Sequence, residues 1–350
     1  MAGRAASRLE LWPLLPPATL PASPARSPPE TGEAVPTAMP ESALVLKNVV
    51  KTYGDFRAVD DVSFTVPQGS IYGFLGPNGA GKTTTIRMIL EILRPTSGTV
   101  SVLGTNALSV RDRIGYLPEE KGLYKKMRTW AVIAYFAMLK GIPRKQARLV
   151  AHELLERYGL SDFADKKTEA LSKGMGQKVQ VLASIAHRPE FVILDEPFSG
   201  LDPVNQQVME EVIRDLNARG TTVIFSTHVM SHAERICEHL VLLAKGRKIF
   251  DGSVEAARRT IPRRVKIRSR GDLRPLSELD GVVSMERLDL EEERFPVYDL
   301  QITDGFDPQQ ILKACFEKEL TLETFEQTEP SLHDVFVHLV GHEAREATFR

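Results

Sequence analysis

Ile71-Tyr72-Gly73-Phe74-Leu75-Gly76-Pro77-Asn78-Gly79-Ala80-Gly81-Lys82-Thr83-Thr84 runs from an apolar strand, through a glycine-rich turn, into a Lys-Thr helix start. That order is a phosphate-binding loop in its required context. Glycines let successive backbone N–H groups converge on phosphate oxygens, and the helix N-terminus adds positive potential. In this reading Gly76, Pro77, Asn78, Gly79, Ala80 and Gly81 form the cradle. Lys82 reaches the β- and γ-phosphates, Thr83 gives its hydroxyl oxygen to Mg²⁺, and Thr84 completes the nucleotide-binding set. The plain alternative is a glycine-rich turn followed by an incidental Lys-Thr pair. The strand before it and the helix after it argue against that.

Working outward, the text from residue 43 is α/β. Leu44 to Leu46, Val62 to Val66 and Ile71 to Leu75 read as strands, and Thr84 to Leu93 as a helix stopped near Pro95. From about 126 to 188 the pattern is helical. Thr129 is a candidate N-cap for the apolar segment after it. Ala147, Val150, Ala151, Leu154, Leu155 and Tyr158 share one helical face, and Gly159 supplies the stop. Strand-like runs return at Phe191 to Leu194, Thr222 to Phe225 and Leu240 to Leu243. The helix between the first two carries Val204, Val208, Met209, Val212, Ile213 and Leu216. Strand–helix–strand repetition predicts a mainly parallel core sheet with a helical insertion.

A second chemical signal lies about 110 residues past the loop. Phe191-Val192-Ile193-Leu194-Asp195-Glu196 is an apolar strand ending in two carboxylates. Asp195 is placed to hold Mg²⁺ and Glu196 to orient an attacking water. Alone, such an ending is an ordinary acidic turn; paired with a phosphate loop it reads as a hydrolytic site.

These motifs, with others in the same order, resemble the ATP-binding cassette (ABC) ATPases over residues 43–258. The resemblance implies that Tyr53 stacks on adenine. It implies that Leu171-Ser172-Lys173-Gly174-Met175 is the family signature, whose Ser172 and Gly174 reach the ATP of a partner subunit. Ser172 is equally a helix N-cap, and both readings hold together because capping N–H groups also bind phosphate. Ser199-Gly200-Leu201-Asp202 matches the dimer-contact loop, and His228 in Ser226-Thr227-His228 matches the switch histidine that contacts the γ-phosphate.

Two departures stand out. Glu119, after Ile114-Gly115-Tyr116-Leu117-Pro118, replaces the family's usual Gln. It still offers an oxygen to Mg²⁺ but adds negative charge near the γ-phosphate. Lys173 and Met175 replace the signature's common Gly and Gln. Pro118-Glu119-Glu120 with Gly122-Leu123-Tyr124, and the ending Pro330-Ser331-Leu332-His333-Asp334-Val335-Phe336, are similar to the ABC-2-type exporter branch, which includes the sodium-extrusion ATPase.

The expected architecture is a P-loop NTPase of ABC-ATPase type with a helical insertion subdomain, then a small C-terminal α+β domain over 262–342. The latter carries strand candidates Val265 to Ile267, Val282 to Met285, Val297 to Ile302 and Leu320 to Phe325. Its last helix has Ser331 as N-cap, Asp334 near N3, and an apolar face of Leu332, Val335, Phe336, Leu339 and Val340. Residues 1–42 form a Pro/Ala-rich extension. Nine of the 22 prolines fall in the first 40 residues, a composition that cannot pack a core. Met39 is a second candidate start. Glu291-Glu292-Glu293-Arg294 reads as a polar turn.

Composition narrows the function classes. The chain has 350 residues, 42% hydrophobic and 26% charged, with net charge −1. That balance gives no global attraction to nucleic acid or anionic lipid. Two cysteines, Cys237 and Cys315, make neither a disulfide framework nor a metal pattern. The most apolar stretch, Trp130 to Leu139, is far shorter than the roughly 20 residues of a membrane span. The histidines other than His228 give no metal spacing; His338 and His342 are four apart without a third ligand.

The resemblance therefore implies an ATP- and Mg²⁺-dependent ATPase. Two copies, or one with a homologous subunit, would form a head-to-tail dimer on a separate membrane permease at the cytoplasmic face, with no nucleic-acid partner. Two other readings remain. A soluble ATPase acting on ribosomes or DNA would carry two cassettes or a long coiled coil, and this chain has one cassette and no heptad run. A non-hydrolysing nucleotide-binding regulator would not need Lys82, Asp195, Glu196 and His228 together.

Overall fold

The computed structural model describes residues 42–120, 122–288 and 295–348. The Pro/Ala-rich extension before residue 42, Met39, and the Glu291 to Arg294 run lie outside the described residues, as does the side chain of His342.

The first elements are β1 (Ser42–Tyr53), β2 (Phe56–Pro67), β3 (Ile71–Leu75), α1 (Lys82–Ile89), β4 (Ser97–Val102) and β5 (Ile114–Leu117). The insertion follows as α2 (Thr129–Leu139), α3 (Arg144–Arg157) and α4 (Lys173–Ile185). Next come β6 (Phe191–Asp195), α5 (Pro203–Ala218), β7 (Thr222–Thr227), α6 (Met230–Ile236), β8 (His239–Ala244), β9 (Arg247–Ser253) and α7 (Val254–Arg258). The chain ends with β10 (Arg263–Ser269), β11 (Val282–Leu288), β12 (Val297–Ile302), α8 (Gln309–Glu317), β13 (Leu322–Thr328) and α9 (Leu332–Thr348).

The central sheet has the order β5-β6-β7-β3-β8-β9. Its first five strands run parallel and β9 closes it antiparallel. The expected parallel core is therefore present. Its strands are buried on both faces, which is why they read as continuous apolar runs. Phe191, Ile193, Ile224 and Val241 face one core, shared with α1 and an antiparallel sheet of order β2-β1-β4. Val192, Leu194, Val223 and Phe225 face the other, shared with α2 to α6. The C-terminal sheet, order β11-β12-β10-β13, is wholly antiparallel over its own core of Val265, Ile267, Leu300 and Ile302.

Local corrections have local causes. The helix read from Thr84 to Leu93 is α1. It starts at Lys82 because Gly81 takes the left-handed conformation, and it ends at Ile89, two residues before Glu91 goes left-handed. Thr129 does not cap α2: it is the first helical residue, and its hydroxyl donates to the Lys166 carbonyl at 3.0 Å. Val204 shares the face of Met209 and Val212 in register but is exposed in the first turn of α5. At α9 the expected cap is present. Asp334 N–H donates to Ser331 Oγ at 3.2 Å while Asp334 Oδ2 accepts Ser331 N–H at 3.0 Å. The apolar face of α9 packs elsewhere than its position in the sequence suggests. Leu332 and Val335 are fully buried in the core of the central sheet's helical side, with Phe336 and Leu339 against it.

Candidate functional site

The carboxyl ends of parallel strands lie at one edge of a sheet, so the segments leaving β3, β5, β6 and β7 converge. Between them is a cleft of about 340 Å³, walled by Phe56, Ala58, residues 77–84, Glu119 and Glu196. Two glycines make the loop possible. A Cβ on Gly76 (φ +151°) would stand 2.4 Å from the Leu243 carbonyl oxygen, and one on Gly81 (φ +96°) 2.6 Å from that of Ala58. Any side chain at either position would push the loop out of its seat.

Lys82 is buried. Its Nζ donates to the carbonyls of Gly76 at 2.7 Å and Pro77 at 3.2 Å and lies 3.7 Å from Glu196 Oε1. Burial pushes its pKa down; the carboxylates of Glu196, Asp195 and Glu119 pull it back up. Asp195 closes β6, and burial raises its pKa, while the hydrogen bond from Ser226 opposes that shift. Ser226 Oγ donates to Asp195 Oδ1; Asp195 Oδ2 is buried with no hydrogen-bond partner among the described residues.

Glu196 holds a left-handed backbone, φ +50°, which a non-glycine residue keeps only under constraint. The constraint is visible: its N–H is shared between Ser226 Oγ at 3.0 Å and the Ser226 carbonyl at 3.2 Å. The carboxylate, 8% exposed, therefore turns back toward Lys82, and its Oε1 accepts the Nδ1–H of His228 at 2.9 Å. A carboxylate only accepts, so this bond assigns the proton to Nδ1. The His228 ring itself is half-exposed.

The sequence-expected residues thus fall into two groups. The loop, Lys82, Thr83, Thr84, Glu119, Asp195, Glu196 and His228 come together. Ser172, Gly174, Asp202 and Tyr53 are not in the cleft wall. Ser172 caps α4, accepting Met175 N–H at 3.3 Å, and Gly174 packs on Asn205, where a Cβ would meet Nδ2 at 2.9 Å. Asp202 caps α5, accepting Asn205 N–H at 2.9 Å, a bond that holds its carboxyl below the usual range. Tyr53 stands across a hairpin turn from Phe56 with the Lys51 ammonium over its ring, and Phe56 is in the wall. Phe56 and Ser226 were not among the expected site residues. An aromatic directly after the Gly54-Asp55 turn is the available signal for Phe56; Ser226 stands in the sequence only as context for His228, with no role of its own.

The residues fit a nucleoside triphosphate with Mg²⁺. The opening N–H groups of α1 have no partner inside the helix, and Lys82 supplies a buried positive charge beside them. Mg²⁺ bound through phosphates needs only one or two protein oxygens; Thr83 in the wall and the unpartnered Asp195 Oδ2 supply that donor chemistry.

Residues 59–199 match the family described as ABC transporter, and residues 252–340 match the C-terminal domain of DrrA1-3-like ATP-binding proteins. YhaQ of Bacillus subtilis, an ABC transporter ATP-binding protein, is 40% identical over 300 residues. The match covers 85% of this chain and 98% of that protein. The chain belongs to the ABC transporter ATP-binding proteins. Like them it binds ATP, and membership of the family implies ATPase activity. Another ABC protein similar to it is the Nod factor export ATP-binding protein I of Burkholderia lata. It is 38% identical over 222 residues, 62% of this chain and 73% of that one. Among solved structures, an ATP-binding subunit of an ABC transporter matches with TM-score 0.58 at 31% identity, covering 62% of this chain and 92% of that one.

Proposed function

We propose that this chain is the ATP-hydrolysing subunit of an ABC-2-type exporter, acting as a head-to-tail dimer on a separate membrane permease. One observation carries the hydrolytic part: Glu196 is buried between Lys82 and His228 at the mouth of a phosphate loop. In this reading Lys82 and the N-terminus of α1 hold phosphate charge. Glu196 accepts the proton of the attacking water, and His228 keeps Glu196 oriented and reaches the γ-phosphate. Bound Mg²⁺, held by Thr83 and Asp195, supplies neutralisation of charge on the β- and γ-phosphates. Glu119 adds an oxygen donor at the cleft edge.

The dimer is supported by what one copy lacks. Ser172 and Gly174 stand outside their own chain's cleft, so a second copy would present them to the nucleotide. The export direction is supported by likeness to a Nod factor export protein. No helix of the described residues is long and apolar enough to cross a membrane. In this reading the permease is a separate chain and the subunit sits on its cytoplasmic face. Size exclusion with Mg-ATP tests the dimer. Glu196→Gln is expected to elute as an ATP-bound dimer and Lys82→Ala as a monomer. A monomeric Glu196→Gln protein that still binds ATP would overturn the closed-dimer reading.

A further inference from the structure

His228 lies two residues before α6, and α6 has only seven residues. A helix this short draws little stability from its own backbone bonds, so its position depends on what packs against it. On its inner side α6 faces the site. His228 bonds to Glu196, and the His232 ring packs on Phe198, two residues past Glu196, with centroids 4.4 Å apart. Arg235 ties α6 to α5, through Glu210 at 3.1 Å and through its carbonyl, which accepts from Arg214 at 2.9 Å, and Glu234 ties it to the C-terminal segment. Glu234 Oε1 accepts the N–H of Leu332, the first residue of α9, at 2.5 Å.

That bond is specific. The reciprocal Ser331–Asp334 box already occupies the neighbouring donors, and the Leu332 N–H is one the helix cannot satisfy itself. The Glu234 carboxylate also sits at the positive end of a 17-residue helix dipole. The other end of the contact is anchored by packing, because Leu332 is fully buried in the cassette core. Arg258, whose Nη2 is 3.9 Å from the same Glu234 oxygen, ties the joint to Glu329 just before α9 at 3.2 Å.

We propose that Glu234 is a positioning residue for ATP hydrolysis. By receiving the first N–H of α9 it fixes α6 and, with it, the His228–Glu196 bond. The C-terminal domain then sets turnover without contributing an atom to the reaction. The inference rests on Glu196 and His228 being the hydrolytic pair.

The test is steady-state Mg-ATP hydrolysis by the full chain carrying Glu234→Ala, Glu234→Gln, His228→Ala or the double Glu234→Ala/His228→Ala substitution. Misplacing a reacting group by about 1 Å costs on the order of 10²-fold, so a partial release of α6 in Glu234→Ala is expected to lower kcat on the order of 10-fold. KM is expected to stay within about twofold. Glu234→Gln keeps an oxygen acceptor and is expected to recover most of the rate. The double variant is expected to be no slower than His228→Ala alone, because the effect passes through His228. If Glu234→Ala fails to fold, Glu234→Asp, which keeps the charge but withdraws the acceptor by one methylene, is expected to show the same kcat loss. Wild-type turnover, a joint loss of kcat and ATP affinity, or additive losses in the double variant would overturn the proposal. Glu196→Gln in the same assay separates the two claims. Near-normal turnover there overturns the hydrolytic reading, whereas severe loss there with unaffected Glu234→Ala overturns only the positioning role.

Discussion

The two larger sheets of this chain use strands of similar length and treat their ends in opposite ways. In the parallel sheet β5, β6, β7 and β3 finish at one edge, so Glu119, Asp195, Glu196, His228 and the phosphate loop arrive at one cleft. Three charged residues there, Lys82, Asp195 and Glu196, are buried. In the antiparallel C-terminal sheet neighbouring strands end at opposite edges, and no such set of ends accumulates. Its charges are spent across strands instead, as in Arg264 with Asp299 at 2.9 Å. Strand direction, more than composition, decides which sheet can gather polar chain ends into a site.

The largest expected contrast comes from removing one lysine beside the parallel sheet's cleft, at the start of α1, and one from the C-terminal sheet. Truncating one partner of a buried, hydrogen-bonded charge pair costs about 2–5 kcal/mol of binding, so Lys82→Ala is expected to weaken binding of a fluorescent ATP analogue by about 30- to 5,000-fold. Lys266→Ala, on the exposed face of β10, is expected to leave that affinity within about twofold. Equal effects of the two substitutions would erase the distinction.

A smaller effect sharpens where the boundary between the units runs. Leu332 follows the C-terminal sheet in sequence but is buried in the cassette core. Leu332→Ala is expected to lower the stability of the cassette by about 2–5 kcal/mol in urea unfolding. Val283→Ala, at an exposed position of β11, is expected to change it by less than about 0.5 kcal/mol. A Leu332→Ala protein whose cassette transition is unmoved would detach α9 from the cassette.

The smallest effect carries a pH signature. Burial raises the Asp195 pKa above its unfolded value near 3.8, so the folded protein holds that proton more tightly than the unfolded chain. Stability from this group is fully present below pH 3.8 and is lost as pH rises through the folded value. Asp195→Asn removes the cost while keeping an oxygen for Ser226. Without nucleotide it is expected to melt a few degrees higher than wild type at neutral pH, the gain fading as the pH falls toward 4, although it binds Mg-ATP less well. A lower melting temperature at neutral pH would show that the carboxylate is stabilising as it stands.

Much of this was legible because the chemistry is contiguous. Gly76 to Thr84 and Asp195-Glu196 each sit where a strand ends, and a strand end in a parallel sheet is a site by geometry. The Ser331–Asp334 box was legible for the same reason, being local. What escaped the sequence is non-local. The left-handed turn of Glu196 depends on Ser226, 30 residues away. Phe56 enters the cleft wall from across the hairpin turn that follows Tyr53. The apolar stripe of α9 is plain in the sequence, yet a stripe does not say which core it enters, and this one enters the cassette.

The central claim is that Glu196 activates the attacking water. Glu196→Gln keeps the size of the side chain and leaves Lys82, Thr83 and Asp195 to hold Mg-ATP, so the measurement is its single-turnover hydrolysis rate under saturating Mg-ATP. The account predicts normal nucleotide affinity with hydrolysis slowed about 10²–10⁴-fold. Hydrolysis at near wild-type rate would contradict it and place the base elsewhere.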